Sequence, residues 1–402
     1  MSEFEPASRV SRIKQSASVA AAARVRELKA EGRRILDLTV GEPDFDTPEH
    51  IKAAAVEAIS KGETKYTSVT GTPALQKAIL QTIELRTGIH YTPAEITIGG
   101  GAKQVIFTAF MASLDAGDEV VVPAPYWVSY PDMVLANEGT PVVVTCGEES
   151  GFKLTPEVLA GALNERTKWV ILNTPSNPTG AVYSRSELRA LADVLANFPQ
   201  VYVLTDEIYD QIYFGSGKIS SLVEVAPELK DRILAVNGVS KAYAMTGWRL
   251  GYAAGPAPLI AAINKLQSQI SSCPSSVSQA ASVAALTGDQ TFVRESVEVY
   301  RSRRDAAVAG LNAVEGLSCA TPEGAFYAYV NCGGAIGKTT PEGKVIANDE
   351  DFTLYLLEAA SVAVIQGSAY GLGPYFRISY ATSLNVIEES IAAIDKAVRA
   401  LS

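Results

Sequence analysis

The stretch Ser240-Lys241-Ala242-Tyr243-Ala244-Met245-Thr246-Gly247-Trp248-Arg249-Leu250-Gly251 decides how this chain is read. An apolar run, Ile233-Leu234-Ala235-Val236, leads into it, and a second run, Leu250-Gly251-Tyr252-Ala253-Ala254, carries the chain away. A lysine after one strand-like run and an arginine before the next suit a buried anionic ligand that carries a reactive aldehyde. The Lys241 amine can condense with the aldehyde. The Arg249 fork can grip a phosphate through two hydrogen bonds, and Gly247 and Gly251 let backbone come close.

Working outward, short apolar runs recur at 95–98, 119–123, 141–145, 169–173, 201–205, 233–237 and 249–254. Helical patterns, such as 103–114 and 186–197, separate most of them. Strands alternating with helices predict an α/β fold with a mainly parallel sheet covered on both faces. Ligands of such sheets bind beyond the carboxyl ends of the strands.

The run ends are where the chemistry concentrates. The first closes on Ile98-Gly99-Gly100-Gly101-Ala102-Lys103 and opens a helix, which offers free amides and a positive helix end to an anion. It lacks the Gly-x-Gly-x-x-Gly of a dinucleotide site. The second closes on Ala124-Pro125-Tyr126-Trp127. Trp127 can lie against a heteroaromatic ring or serve as core. The fourth closes on Asn173-Thr174-Pro175-Ser176-Asn177-Pro178-Thr179-Gly180, a rigid segment that holds Asn177. The fifth closes on Thr205-Asp206-Glu207-Ile208-Tyr209; Asp206 suits a protonated ring nitrogen, Tyr209 can reach the same ring, and Glu207 is expected to point away into structure. Two further points lie outside the runs. Gly41-Glu42-Pro43-Asp44 forms a loop after a strand-like run at 35–40. Arg377, inside the apolar Pro374-Tyr375-Phe376-Arg377-Ile378, needs an anionic partner because an unpaired buried charge is costly.

Gly238-Val239-Ser240-Lys241 with Arg249-Leu250-Gly251 resembles the pyridoxal-phosphate attachment site of class I aminotransferases, and Asn177-Pro178-Thr179-Gly180 resembles their Asn-Pro-Thr-Gly signature. Gly41, Trp127, Asn177, Asp206, Tyr209, Lys241, Arg249 and Arg377 stand in that family's order, and the resemblance covers about 11–400. It implies fold type I: a seven-stranded, mostly parallel sheet in a large pyridoxal-phosphate-binding domain (46–300) and a smaller α/β domain built from both termini (1–45 and 301–402). It further implies a homodimer that moves an amino group between an L-amino acid and a 2-oxo acid in two half-reactions.

The roles it implies are specific. Lys241, Asp206 and Tyr209 are catalytic. Gly101, Ala102, Lys103, Ser240 and Arg249 hold the phosphate, joined by Tyr66 from the neighbouring subunit, while Trp127 and Asn177 hold the ring. Gly41, Trp127, Asn177 and Arg377 meet the substrate. Lys14 and Lys103 resemble the cationic pair with which the bacterial-type aspartate aminotransferase subgroup meets a distal carboxylate; some of its members accept prephenate. An aromatic-amino-acid aminotransferase and a carbon–sulfur lyase of the same fold share nearly all these motifs and stay open. Gly238 departs from relatives that carry a serine there.

Composition excludes other classes. The chain has 402 residues, 34 basic and 44 acidic, for a net charge of −10. Such a balance opposes nucleic acid and anionic membrane as partners. A non-catalytic sensing module of this fold would bring a basic DNA-binding extension, which is not seen. The four cysteines, Cys146, Cys273, Cys319 and Cys332, form no Cys-x-x-Cys pair, and the two histidines, His50 and His90, cannot build a multi-histidine metal site. The acidic Met1-Ser2-Glu3-Phe4-Glu5 start has no apolar signal core, so cytoplasm is the expected location.

Overall fold

The computed structural model describes residues 4–15 and 17–402; Met1 to Glu3 of the acidic start and Ser16 lie outside them. The seven runs become seven strands of one sheet: β1 Ile96–Gly99, β2 Glu119–Ala124, β3 Thr140–Thr145, β4 Thr167–Asn173, β5 Tyr202–Asp206, β6 Ile233–Gly238 and β7 Gly251–Ala254. Their order is β1-β7-β6-β5-β4-β2-β3. Neighbours among β2 to β6 are parallel, and β7 is antiparallel to both β1 and β6.

These strands read as continuous apolar runs because helices cover both faces. Val121, Val170, Leu172 and Val203 enter one core with Leu188, Leu191 and Leu195 of the helix Arg185–Leu195. Val120, Val122, Trp169, Ile171 and Leu204 enter the other with Val105, Ile106 and Phe110 of the helix Ala102–Ser113. Alternate strand residues thus feed two separate layers.

Two edges of the predicted elements move, each for a local reason. β7 starts at Gly251 rather than 249, because Arg249 has a left-handed φ of 53° after the turn Thr246–Trp248. The run at 35–40 shrinks to the strand Leu36–Asp37, because Asp37 Oδ1 accepts from the Thr39 amide at 3.1 Å and its hydroxyl at 2.7 Å and turns the chain away.

Register puts Asn173 opposite Asp206, and Gly238 opposite Gly251, which faces Gly99 on its other side. The ends of β1, β4, β5 and β6 and the start of β7 therefore share one rim. Three glycines in line leave that rim bare. A Cβ at Gly251 would overlap the Ala102 amide and the Gly101 carbonyl carbon, and one at Gly238 would sit 3.1 Å from Gly251 Cα. The helix Ala102–Ser113 starts directly on strand backbone.

A second sheet holds Ile365–Gln366, Tyr375–Ser379, Tyr327–Asn331 and Ser318–Cys319 in that order, all antiparallel. The helices Thr291–Asn312 and Leu384–Arg399 pack together beside it, and position 300/301 falls within the first of them. Leu36–Asp37, from the other end of the chain, pairs with Val362–Ala363. The residues at 333–348 form the short turn Gly333–Ala335 and a bridge between Thr339 and Val345. A backbone seam ties the two sheets: the Gly180 carbonyl accepts from the Glu323 amide at 3.0 Å and the Gly324 amide at 2.9 Å. Among the described residues no helix is long and apolar enough to cross a membrane.

The bare rim can be tested. Gly251→Ala pushes backbone against backbone and should cost about 1–3 kcal/mol, read as a lower midpoint in urea unfolding; an unchanged midpoint would refute the close approach.

Candidate active site

A cavity of about 360 Å³ opens over the glycine rim. Its walls bring together Gly41, Ala102, Lys103, Trp127, Asn177, Asp206, Tyr209, Ser240, Lys241, Arg249 and Arg377. These residues come from the end of β5, the segments just after β4, β5 and β6, the turn before β7, two helix starts, an N-terminal loop and the second sheet, so only the folded chain assembles them.

Asp206 ends β5 and is 5% exposed. Tyr130 Oη donates to its Oδ2 at 2.7 Å, and the Ile208 amide donates to Oδ1 at 3.2 Å. Burial pushes this carboxyl up from its ordinary value, while Tyr130, Ile208 and the Lys241 charge pull it back. Lys241 follows β6, and its Nζ donates to the Gly41 carbonyl at 2.6 Å. Loss of water lowers its amine to about 8, against the opposing pull of Glu42 and with further lowering by Arg377 and Arg249. An amine that gives up its proton near pH 8 is a usable nucleophile and base.

Arg377 lies 2% exposed on the strand Tyr375–Ser379. It donates to Asn177 Oδ1 at 3.0 Å and to the Thr39 carbonyl at 2.6 Å, and its guanidinium sits 4.4 Å from the Tyr327 ring centroid. Its Nε has no hydrogen-bond partner among the described residues. A buried donor left over beside an open cavity suits an incoming carboxylate. Tyr209 Oη pairs with Tyr327 Oη at 2.8 Å.

The anion cradle is built as the glycine turn predicts. Gly101 has φ 99°, and the first amides of the helix after it have no acceptor inside the helix. Arg249 crosses this turn, donating to the Thr246 carbonyl at 2.9 Å and the Gly100 carbonyl at 3.2 Å. Gly101 itself stands behind the wall, where Arg249 Nη2 fills the space a Cβ would need. Lys103 is exposed at the cavity mouth, with Nζ 4.8 Å from the Trp127 ring centroid.

Two expected site residues lie away from the cavity in this single chain. Tyr66 is 90% exposed and borders a different hollow with Lys65, Ala280 and Val283. Lys14 is exposed on the arm after the helix Ser8–Ser11, and its amide donates to Asp132 Oδ1 at 3.2 Å. That main-chain bond places the arm beside the helix Ser129–Ala136.

Sequence reasoning passed over Tyr130, Asn173 and Tyr327, which also line the cavity. Tyr130 was within reach of it, since Trp127 and Tyr130 stand one helical turn apart. Asn173 takes the Asn177 amide on Oδ1 at 2.8 Å and donates to the Asp206 carbonyl at 2.9 Å. Tyr327 comes from the second sheet and carries no local signal.

A free amine beside a fixed carboxylate, with an anion cradle across the rim, fits an anionic aromatic aldehyde; the architecture is that of the fold type I pyridoxal-phosphate transferases. Residues 33–394 match the family described as aminotransferase class I and II, and the chain belongs to that family. It is 53% identical to the aspartate aminotransferase of Rhizobium meliloti, whose crystal structure superimposes with a TM-score of 0.97 and full coverage of both chains. It is 51% identical to the aspartate/prephenate aminotransferase of Cereibacter sphaeroides, covering 96% of each. The Thermus thermophilus aspartate aminotransferase with maleate gives 39% identity and a TM-score of 0.91, covering 98% of this chain and 100% of that one. The enzyme is an aminotransferase, and its family uses pyridoxal phosphate.

Glu207, turned to the opposite face of the sheet, accepts from Ser221 Oγ at 2.6 Å. Burial pushes its carboxyl up to about 7 from 4.5; the Ser221 bond opposes this, and Asp210 adds to it. The folded state keeps this proton longer than the unfolded chain, so the group's contribution to stability falls as pH rises from about 4.5 to about 7. Glu207→Gln should remove that decline, measured as urea midpoints at several pH values across the window; parallel pH profiles would count against it.

Proposed function

We propose that this aminotransferase takes a dicarboxylic L-amino acid, aspartate first and glutamate next, with prephenate as a further amino acceptor. The observation that carries this is Lys103, a cation at the cavity mouth beside Trp127, with the unfilled Arg377 donor deep in the wall. Arg377 serves the α-carboxylate and Lys103 the distal one. Lys14, on the arm beside the helix Ser129–Ala136, is the second cation proposed for the distal carboxylate. The names of the relatives support the acidic substrate.

Pyridoxal phosphate, when bound, supplies an aldehyde for the amino group and a cationic ring that accepts the electron pair from the broken Cα–H bond. Lys241 Nζ would hold the aldehyde carbon at rest and, once the substrate's amino group has displaced it, would be the free amine placed to move the Cα proton. Asp206, as a carboxylate, holds the proton on the ring nitrogen. Asn177 and Tyr209 would serve its ring oxygen, Trp127 its ring, and Ala102, Ser240 and Arg249 its phosphate. Arg377 and Asn177 orient the α-carboxylate so that the breaking bond stands across the ring plane.

We also propose a cytoplasmic homodimer in which the exposed Tyr66 would reach the phosphate site of the second copy, each chain having a large domain at 46–300 and a smaller one built from 1–45 and 301–402.

Two measurements decide this reading. Lys241→Ala should leave no cofactor attached after borohydride reduction, read by intact-protein mass, and lower turnover by roughly 10²–10⁴-fold or more; retained activity would overturn the role. Lys103→Met should lower kcat/KM for aspartate roughly 10–100-fold while sparing aromatic substrates. Equal losses would point to an aromatic aminotransferase, and pyruvate and ammonia released from a single amino acid would point to a lyase.

A further inference from the structure

Tyr130 is 1% exposed on the first turn of the helix Ser129–Ala136 and is the shortest hydrogen bond to the Asp206 carboxylate, at 2.7 Å against 3.2 Å for the Ile208 amide. Its ring meets the Trp127 ring edge-on, centroids 5.2 Å apart and planes at 86°. One side chain therefore ties the aromatic wall of the cavity to the carboxylate beneath it. Its own phenol is pushed well above its ordinary range, first by burial and then by the Asp206 charge, so it stays a donor throughout the working pH range.

We propose that Tyr130 is a positioning residue that keeps Asp206 ionised and aimed, so that the shared proton rests on the ring nitrogen of the bound cofactor and not on the carboxylate. This rests on reading Asp206 as the partner of that nitrogen. The physical argument is a competition for one proton. Burial alone favours a protonated carboxyl at 206, and a hydrogen bond donated to the charged form opposes that preference. The titratable groups whose charge or hydrogen bond reaches Asp206 are Tyr130, Lys241, Glu207 and Tyr209. Glu207 adds like charge when ionised, and Tyr209 gives no bond to Asp206. Lys241 helps only while it is charged, and that charge fades near pH 8. Beside the backbone amide of Ile208, the Tyr130 hydroxyl is the side-chain contribution that persists.

The test is a nitrogen-15 NMR titration of ring-labelled pyridoxal phosphate bound to the full-length enzyme. Tyr130→Phe keeps the ring and its contact with Trp127 and removes only the hydroxyl. At a fixed pH near neutrality the ring nitrogen should then carry its proton in a clearly smaller fraction of molecules than in the wild type, the proton resting on the carboxylate instead. The cofactor dissociation constant, from equilibrium dialysis, should rise roughly tenfold. 3-Fluorotyrosine placed at 130 is a stronger donor and should move the titration the other way, which keeps the test decisive if the phenylalanine variant folds poorly. Both variants titrating with the wild type would overturn the proposal while leaving the Asp206 reading intact. A ring nitrogen already neutral in the wild type would overturn that reading and this proposal with it.

Discussion

Asp206 and Lys241 hold opposite charges in one protein-walled cavity, and the surrounding structure is arranged to make both tolerable. A carboxylate so buried is costly unless its oxygens are occupied, and here a phenol and a backbone amide occupy them. The amine answers to a carbonyl, that of Gly41. Adjacent parallel strands fix the spacing. Asp206 stands opposite Val236, and Lys241 lies five residues further along that strand's path, so the sheet itself sets how far apart acid and base can be.

The two ends of the chain complete this centre from outside the large sheet. The loop after Leu36–Asp37 lies over Lys241 and is pinned on both sides. Thr246 Oγ1 donates to Glu42 at 2.8 Å, Thr47 Oγ1 to the Ala244 carbonyl at 2.6 Å, and Arg303 grips Asp44 at 2.7 and 2.9 Å. From the other end, Arg377 reaches Asn177 and the Thr39 carbonyl, joining the second sheet to both the rigid proline segment and the N-terminal loop. A substrate carboxylate arriving at Arg377 therefore meets a guanidinium already held in place.

Much of this was legible in the sequence, for physical reasons. Apart from the edge strand β3, which stays partly exposed, the runs are apolar on both faces because they are covered on both faces, and their punctuation by glycine, proline and asparagine marks where chemistry sits. Asp206, Lys241, Asn177 and Arg377 each occupy a place where a polar residue would otherwise be costly, so each stood out. What was hidden depends on distance in the chain. Tyr130 looks like an ordinary helix aromatic until Asp206, 76 residues on, is brought beneath it. Tyr327 reaches Tyr209 across 118 residues. The Lys14 arm gives no sequence sign of which surface its backbone meets, and the contact of its amide with Asp132 appears only in the folded chain.

The seam at Gly180 has a quiet evolutionary implication. Because the Glu323 and Gly324 amides meet a main-chain oxygen, the alignment of the two sheets there is written in atoms that every residue type shares. Side chains such as that of Glu323 are free to drift between descendants without retuning the angle at which Asn177 and Arg377 meet. Only Gly180 and Gly324, with Pro322 and Pro175 against them, are closed to such drift.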